Sequence, residues 1–334
     1  MKNLNEPEYR YRKTIGAIGL SLIFFLLFVY ARSFLVSLFA SFIEMLPISR
    51  AVYTVMVGLW DSAAYLLMFM LPALIFKRRI KKAGFLYRTM NAHDKLSPWL
   101  PLFVFATILI VHASAQLNFS LITWFQGSGD SYSEGFSQLE GYEIALELLS
   151  LCVVPGLCEE FLFRGVFLTN LMPFGKNNAI LISALLFSLM HENPAQALFA
   201  FVAGILLGLI YVKTGSIWNC IVVHLINNFV SLLESIINYN FGENAIWAIP
   251  LLDTLIYVIG AVSLAILIFV FFSKRPRYDD GMYQKELPAA DSYAVYPVES
   301  RRMVTLFCAP SMLIFIILAG ISIFSIWMLG GLIW

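Results

Sequence analysis

The sequence predicts an all-α protein, a polytopic transmembrane helical bundle of about eight or nine spans. Three observations carry that reading. Of the 334 residues, 60% are hydrophobic and only 13% charged, where a soluble globular protein carries roughly 25% charged residues. The apolar residues gather into runs close to the ~20 residues that an α-helix needs to cross the hydrocarbon core. The basic residues sort by loop, so that one orientation with the N-terminus in the cytoplasm places the basic clusters on one side. The net charge of +1 says nothing further.

The elements follow in order. Span one covers roughly 14–31 and can continue as a helix to Met45; Arg32 and Glu44 interrupt it and Pro47 closes it. The run is too long for a signal-peptide core, so it reads as a retained first span. Span two covers about 51–76 and contains Asp61, which reads better as a helix contact than as a site residue. A basic loop follows with Lys77, Arg78, Arg79, Lys81, Lys82 and Arg88. Span three covers about 98–120, and the loop Gln126–Glu140 is Gly/Ser-rich and acidic, which places it outside. Span four covers about 142–168. Span five, about 179–192, is short and stopped by Asn193-Pro194, because proline removes a helix donor. Span six covers about 195–212, with Gly204 and Gly208 as a small-xxx-small pair that lets helices approach closely. Spans seven, eight and nine cover about 217–237, 247–272 and 303–325, with a polar loop from Lys274 to Arg302. No soluble domain and no internal repeat is expected.

The four cysteines, Cys152, Cys158, Cys220 and Cys308, fall in apolar segments at spacings of neither a zinc knuckle nor a redox pair, and read as small hydrophobes. No glycine-rich phosphate cradle appears. The basic loop lacks the aromatic interleaving of a nucleic-acid surface. Membrane lipids, through their anionic headgroups, are its expected partner, and nucleic acid is not.

Chemistry gathers in Cys152–Asn170. Ionisable residues at membrane depth are costly and mark functional sites by default. Glu160 and Arg164 are spaced i, i+4 and share a helix face, so they are expected to pair and give structural support. Glu159 is rotated about 100° away and has no partner in its own helix. A desolvated carboxylate beside another suits a general base. A purely structural salt-bridge cluster is the other reading of this pair. His191 ends span five, as a candidate site residue or as a satisfied polar residue near an interface. Ala195 stands where a second histidine would complete HExxH, so the zincin reading fails. His224 and Asn228 are i, i+4 on span seven and can both donate to one point, as an oxyanion hole requires, or to each other's helices. His93 and His112 lack such company and are not expected to be catalytic.

Three motifs now stand in order: EExxxR at Glu159–Arg164, FxxxH at Phe187–His191 and HxxxN at His224–Asn228. This triplet resembles the CPBP family of intramembrane proteases, which includes the CAAX prenyl endopeptidases and bacterial bacteriocin-processing or immunity (Abi-type) proteins. The resemblance implies a catalytic core over 141–240, between N-terminal spans over 1–140 and a C-terminal pair over 241–334. It implies an endopeptidase acting near the membrane-embedded or lipid-attached end of a peptide or protein substrate. Glu159 and His191 would activate water, and His224 and Asn228 would hold the oxyanion. The family is often labelled metalloprotease; a metal-free glutamate mechanism is favoured, with zinc on Glu159, His191 and His224 the other route. A non-catalytic scaffold or immunity protein of the same family is the alternative, and a proton-coupled transporter a third. The expected location is the cell membrane, multi-pass. One tension stands out. At ~1.5 Å per residue, Glu159 lies about 14 Å from the inner end of span four, and His191 about 20 Å from the inner start of span five.

Overall fold

In the computed structural model, which describes residues 4–88, 96–126, 140–242, 247–273, 298 and 300–333, the chain is an all-α helical membrane bundle. The helices are α1 (Glu6–Glu44), α2 (Arg50–Lys82), α3 (Leu100–Gln126), a continuous rod α4 over 141–171, α5 (Lys176–Leu189), α6 (Pro194–Thr214), α7 (Ile217–Phe241), α8 (Ala248–Ser273), α9 (Ser300–Phe307) and α10 (Pro310–Ile333). Six of them, α1, α2, α3, α6, α7 and α8, are long and apolar enough to cross a membrane. α5 and α10 are shorter apolar helices. The expected acidic loop and most of the loop after Lys274, like His93, lie outside the described residues.

Local chemistry sets the ends. Asn5 caps α1 by accepting from the Glu8 amide at 2.9 Å, while Glu8 reaches back to the Asn5 amide at 3.3 Å, a capping box. Ser49 caps α2 and Asn193 caps α6, each accepting from a backbone amide. Gly215 closes α6 in the left-handed conformation that glycine adopts without strain. α1 does run as one helix to Glu44, and α2 continues through the basic residues to Lys82.

Two expected spans change. Span five ends at Leu189, so His191 stands in the turn that follows rather than in a helix. Span nine does not start at 303: Ser300–Phe307 forms a short helix of its own, and Pro310 begins α10 after a break at Cys308-Ala309. The cysteines are free, with Cys152, Cys158 and Cys220 buried.

The rod α4 is the axis of the bundle. Residues 162–171 are buried throughout, and α2, α5 and α7 pack around it. α1 lies against α2 and α10, and α3 lies against α6, α7 and α8. The glycine expectation holds at Gly204: a Cβ there would stand 2.8 Å from Ala184 Cα and 2.9 Å from Ala184 Cβ, so α5 and α6 touch backbone to backbone. The two ends of the chain also meet. Arg302 bonds Glu8 through Nε at 2.8 Å, and Ser311 Oγ donates to the Gly16 carbonyl at 2.7 Å.

Candidate active site

Glu159 and Glu160 sit between two π-helical stretches of α4, over 148–153 and 161–168. π turns pair each amide with the fifth carbonyl back and recur at functional sites. The first stretch contains Leu151, whose carbonyl accepts a hydrogen bond from Asn228 Nδ2 at 2.9 Å. The rod and α7 are thereby tied together beside the two acids.

Glu160 and Arg164 are both fully buried, at 0% side-chain exposure. Arg164 Nη1 donates to Glu160 Oε1 at 2.7 Å, and Nη2 donates to the Gly204 carbonyl at 3.3 Å. The guanidinium also lies 4.6 Å from the centre of the Phe187 ring. The expected i, i+4 pair is present, with a member the sequence did not show. His224 Nδ1 stands 2.8 Å from Glu160 Oε1. A carboxylate there fixes Nδ1 as the protonated nitrogen. His224 Nε2 then faces Glu159, 3.8 Å from its Oε2.

Glu159 finds its partner in another helix. The Tyr65 hydroxyl on α2 donates to Glu159 Oε1 at 2.5 Å. Tyr65 is held in turn by Phe69, with ring centres 5.0 Å apart, and by the Arg32 guanidinium 5.1 Å from its ring. Arg32 bonds Asp61 at 2.5 Å, one turn before Tyr65, so Asp61 makes the helix contact expected of it. Sequence reasoning did not find Tyr65. Its i, i+4 spacing from Asp61 was legible, but nothing in α2 pointed that face at Glu159.

His191 follows the end of α5, and its Nδ1 lies 2.8 Å from the Phe187 carbonyl. The next residue, Glu192, holds a left-handed φ of 51°, and its carboxylate accepts from Ser322 of α10. Glu159, His191, Glu192 and Tyr65 line a cavity of about 670 Å³ whose other walls are mostly apolar and come from α1, α2 and α10. His191 also lines a smaller chamber of about 40 Å³ with His224, Asn227 and Asn228. The four predicted residues are thus divided between two spaces, and His191 borders both. The mismatch in depth narrows. α4 extends to Leu171, and α5 starts earlier, at Lys176. Glu159 then lies about 18 Å, and His191 about 22 Å, from the facing ends of the two helices. Side by side, Ser183 of α5 donates to the Phe163 carbonyl of α4 at 3.1 Å, and the Phe163 and Phe187 rings lie 5.1 Å apart.

Zinc ligation needs three donor atoms that converge. Among the described residues the group that meets that condition is His112, Glu234 and Asp253, not Glu159, His191 and His224. His224 is held at Nδ1 by Glu160 and His191 at Nδ1 by a carbonyl, which leaves each Nε2 open, so what fails for zinc there is convergence and not donor type. The arrangement as it stands does not fit a zinc ion on those three side chains. His112, which has no partner like that of His224 in its own helix, has two carboxylates beside it, contributed by helices far along the chain.

Comparison of the chain with curated proteins and with solved structures gives no match. Residues 141–230 do match the family model described as Type II CAAX prenyl endopeptidase Rce1-like. That segment contains all three motifs together with Glu159, His191, His224 and Asn228. The match agrees with the resemblance read from those motifs: this stretch of a multi-pass membrane protein is similar to the CAAX-type intramembrane proteases.

Proposed function

We propose that this chain is an intramembrane endopeptidase that hydrolyses a peptide bond near the membrane-embedded or lipid-attached end of its substrate. The observation that supports this best is the setting of Glu159. It stands at the wall of a largely apolar cavity of about 670 Å³, with one carboxylate oxygen held by Tyr65 and the other turned toward His224. A peptide segment entering from the lipid would find mostly apolar walls with Glu159 and His191 among them.

In this reading Glu159 Oε2 takes a proton from a water molecule as the water oxygen adds to the scissile carbonyl carbon. The carbonyl π electrons move onto oxygen and give a tetrahedral oxyanion. His224 donates to it from Nε2, which requires a proton on each ring nitrogen, and a carboxylate stands at each of them. Asn228 has a second amide proton besides the one given to Leu151. His191, between the two chambers, positions the water through its free ring edge. When the intermediate collapses the C–N bond breaks, and Glu159 returns its proton to the leaving amine. Glu160 and Arg164 carry no proton in this cycle; they hold His224 in place. No step passes through a metal. The N-terminus lies in the cytoplasm and the protein in the cell membrane, with lipids and one membrane-anchored peptide or protein as its partners.

The test uses the purified full chain in liposomes with a set of membrane-anchored peptides, with and without a strong chelator. Cleavage that survives chelation and vanishes in Glu159→Gln, with the variant still folded, is the expected result. Activity recovered only on adding zinc would replace the water-activating glutamate by a metal. No cleavage by folded protein of any peptide would favour a scaffold or immunity role.

A further inference from the structure

We propose that His112, Glu234 and Asp253 form a zinc site, separate from the candidate active site and clamping α3, α7 and α8. Each helix supplies one side chain. One donor atom from each residue lies within 4.8 Å of the others. His112 Nε2 is 3.5 Å from Asp253 Oδ1, and Nδ1 is 3.8 Å from Glu234 Oε1.

These contacts are too long to be hydrogen bonds. His112 Nε2, Glu234 Oε1 and Asp253 Oδ1 are closed to solvent and have no hydrogen-bond partner. Buried polar atoms in native proteins are nearly always satisfied, by protein, water or an ion. Charge points to what that partner is. A protonated imidazole neutralises one of the two carboxylates and leaves the second, only partly buried, uncompensated between apolar helices, which carries a cost. A doubly charged cation with a neutral imidazole neutralises both.

The donors suit zinc, which takes imidazole nitrogen at about 2.0–2.1 Å and carboxylate oxygen at about 2.0–2.2 Å. Tetrahedral ligation at those lengths puts donors about 3.4 Å apart. The two carboxylates face opposite ring nitrogens, so a change of side-chain rotamer must bring them to the nitrogen that ligates. The helices themselves are already fixed. A Cβ at Gly260 of α8 would stand 2.6 Å from Leu109 Cβ and 2.9 Å from the Phe105 carbonyl oxygen, so α8 and α3 meet backbone to backbone. Tyr257, on the same face of α8, packs edge-on against His112 with ring centres 5.6 Å apart. Asp253 is thereby held opposite His112. Glu234 lies ten residues beyond His224 on α7, about 15 Å along the helix. Val111, next to His112, lines the small chamber with His224 and Asn228. A cation here fixes the helix that carries His224 without entering the chamber, and the assignment does not depend on proteolysis.

The experiment equilibrates purified full chain with zinc, removes free metal and counts bound zinc, in the wild type and in Glu159→Gln, His112→Gln and Asp253→Asn. The expected result is one zinc per chain in wild type and Glu159→Gln, with affinity at least about tenfold weaker in the other two. The rise in melting temperature on adding zinc should be lost with it. Cobalt in the Glu159→Gln background gives a readout that does not need the ligand variants to fold: a tetrahedral nitrogen/oxygen spectrum supports the site. Absence of zinc binding by wild type, equal binding by Asp253→Asn, loss of binding in Glu159→Gln, or an unchanged spectrum of hydrated cobalt would overturn it.

Discussion

Tyr65→Phe removes one oxygen atom and tests the setting of Glu159. The hydroxyl donates to Glu159 Oε1 at 2.5 Å, while the ring makes separate contacts with Phe69 and Arg32. Phenylalanine keeps the ring, so the substitution isolates the hydrogen bond. A hydrogen bond to a charged group is worth about 1.5–3 kcal/mol. If it serves to aim the carboxylate, its loss appears in the chemical step, where each ~1.4 kcal/mol is tenfold. The expected fall in kcat is therefore about 10- to 150-fold, with KM little changed because substrate binding rests on the apolar walls. The assay is cleavage of a fluorogenic membrane-anchored peptide in liposomes, with a melting curve of the same preparation. A kcat within twofold of wild type in a folded variant, while Glu159→Gln is inactive, would refute the claim that Tyr65 positions the base.

Two further outcomes concern the packing around the site. Arg164→Leu leaves Glu160 buried with its main counter-charge gone, and should cost about 3–5 kcal/mol, seen as lower yield and a lower melting temperature. Gly204→Val forces side-chain atoms into Ala184 and should destabilise by about 1–3 kcal/mol, with activity falling further than the folded fraction, because the Gly204 carbonyl also accepts from Arg164.

What the sequence showed were features whose cause is local. Hydropathy and the turns around Asn193-Pro194 and Gly215 define α6, α7 and α8 closely, while α1 begins at Glu6, ahead of its apolar run. The i, i+4 rule paired Glu160 with Arg164 before any coordinates. Features that depend on tertiary placement were out of reach. Tyr65 meets Glu159, and His112 meets Glu234 and Asp253, only because separate helices pack as they do. The π stretches of α4 have no composition signal; the run reads as ordinary helix, yet their turns lie on both sides of the acids. Span nine was misplaced because Met303, Val304 and Leu306 continue the apolar pattern, and the break at Pro310 is visible only as one proline among hydrophobes.

The contact between α1 and α10 bears on how the protein is made. Ser311 and Gly16 are 295 residues apart in the chain, and Arg302 and Glu8 are 294 apart. α10 is also a wall of the large cavity and supplies Ser322, the residue that fastens the turn carrying His191. During synthesis α1 therefore waits in the bilayer until α10 leaves the ribosome. The cavity stays open to lipid on that side meanwhile, and the His191 turn is unfastened. Closure of the large cavity is a late event of biogenesis, and its timing is set by the order of the chain.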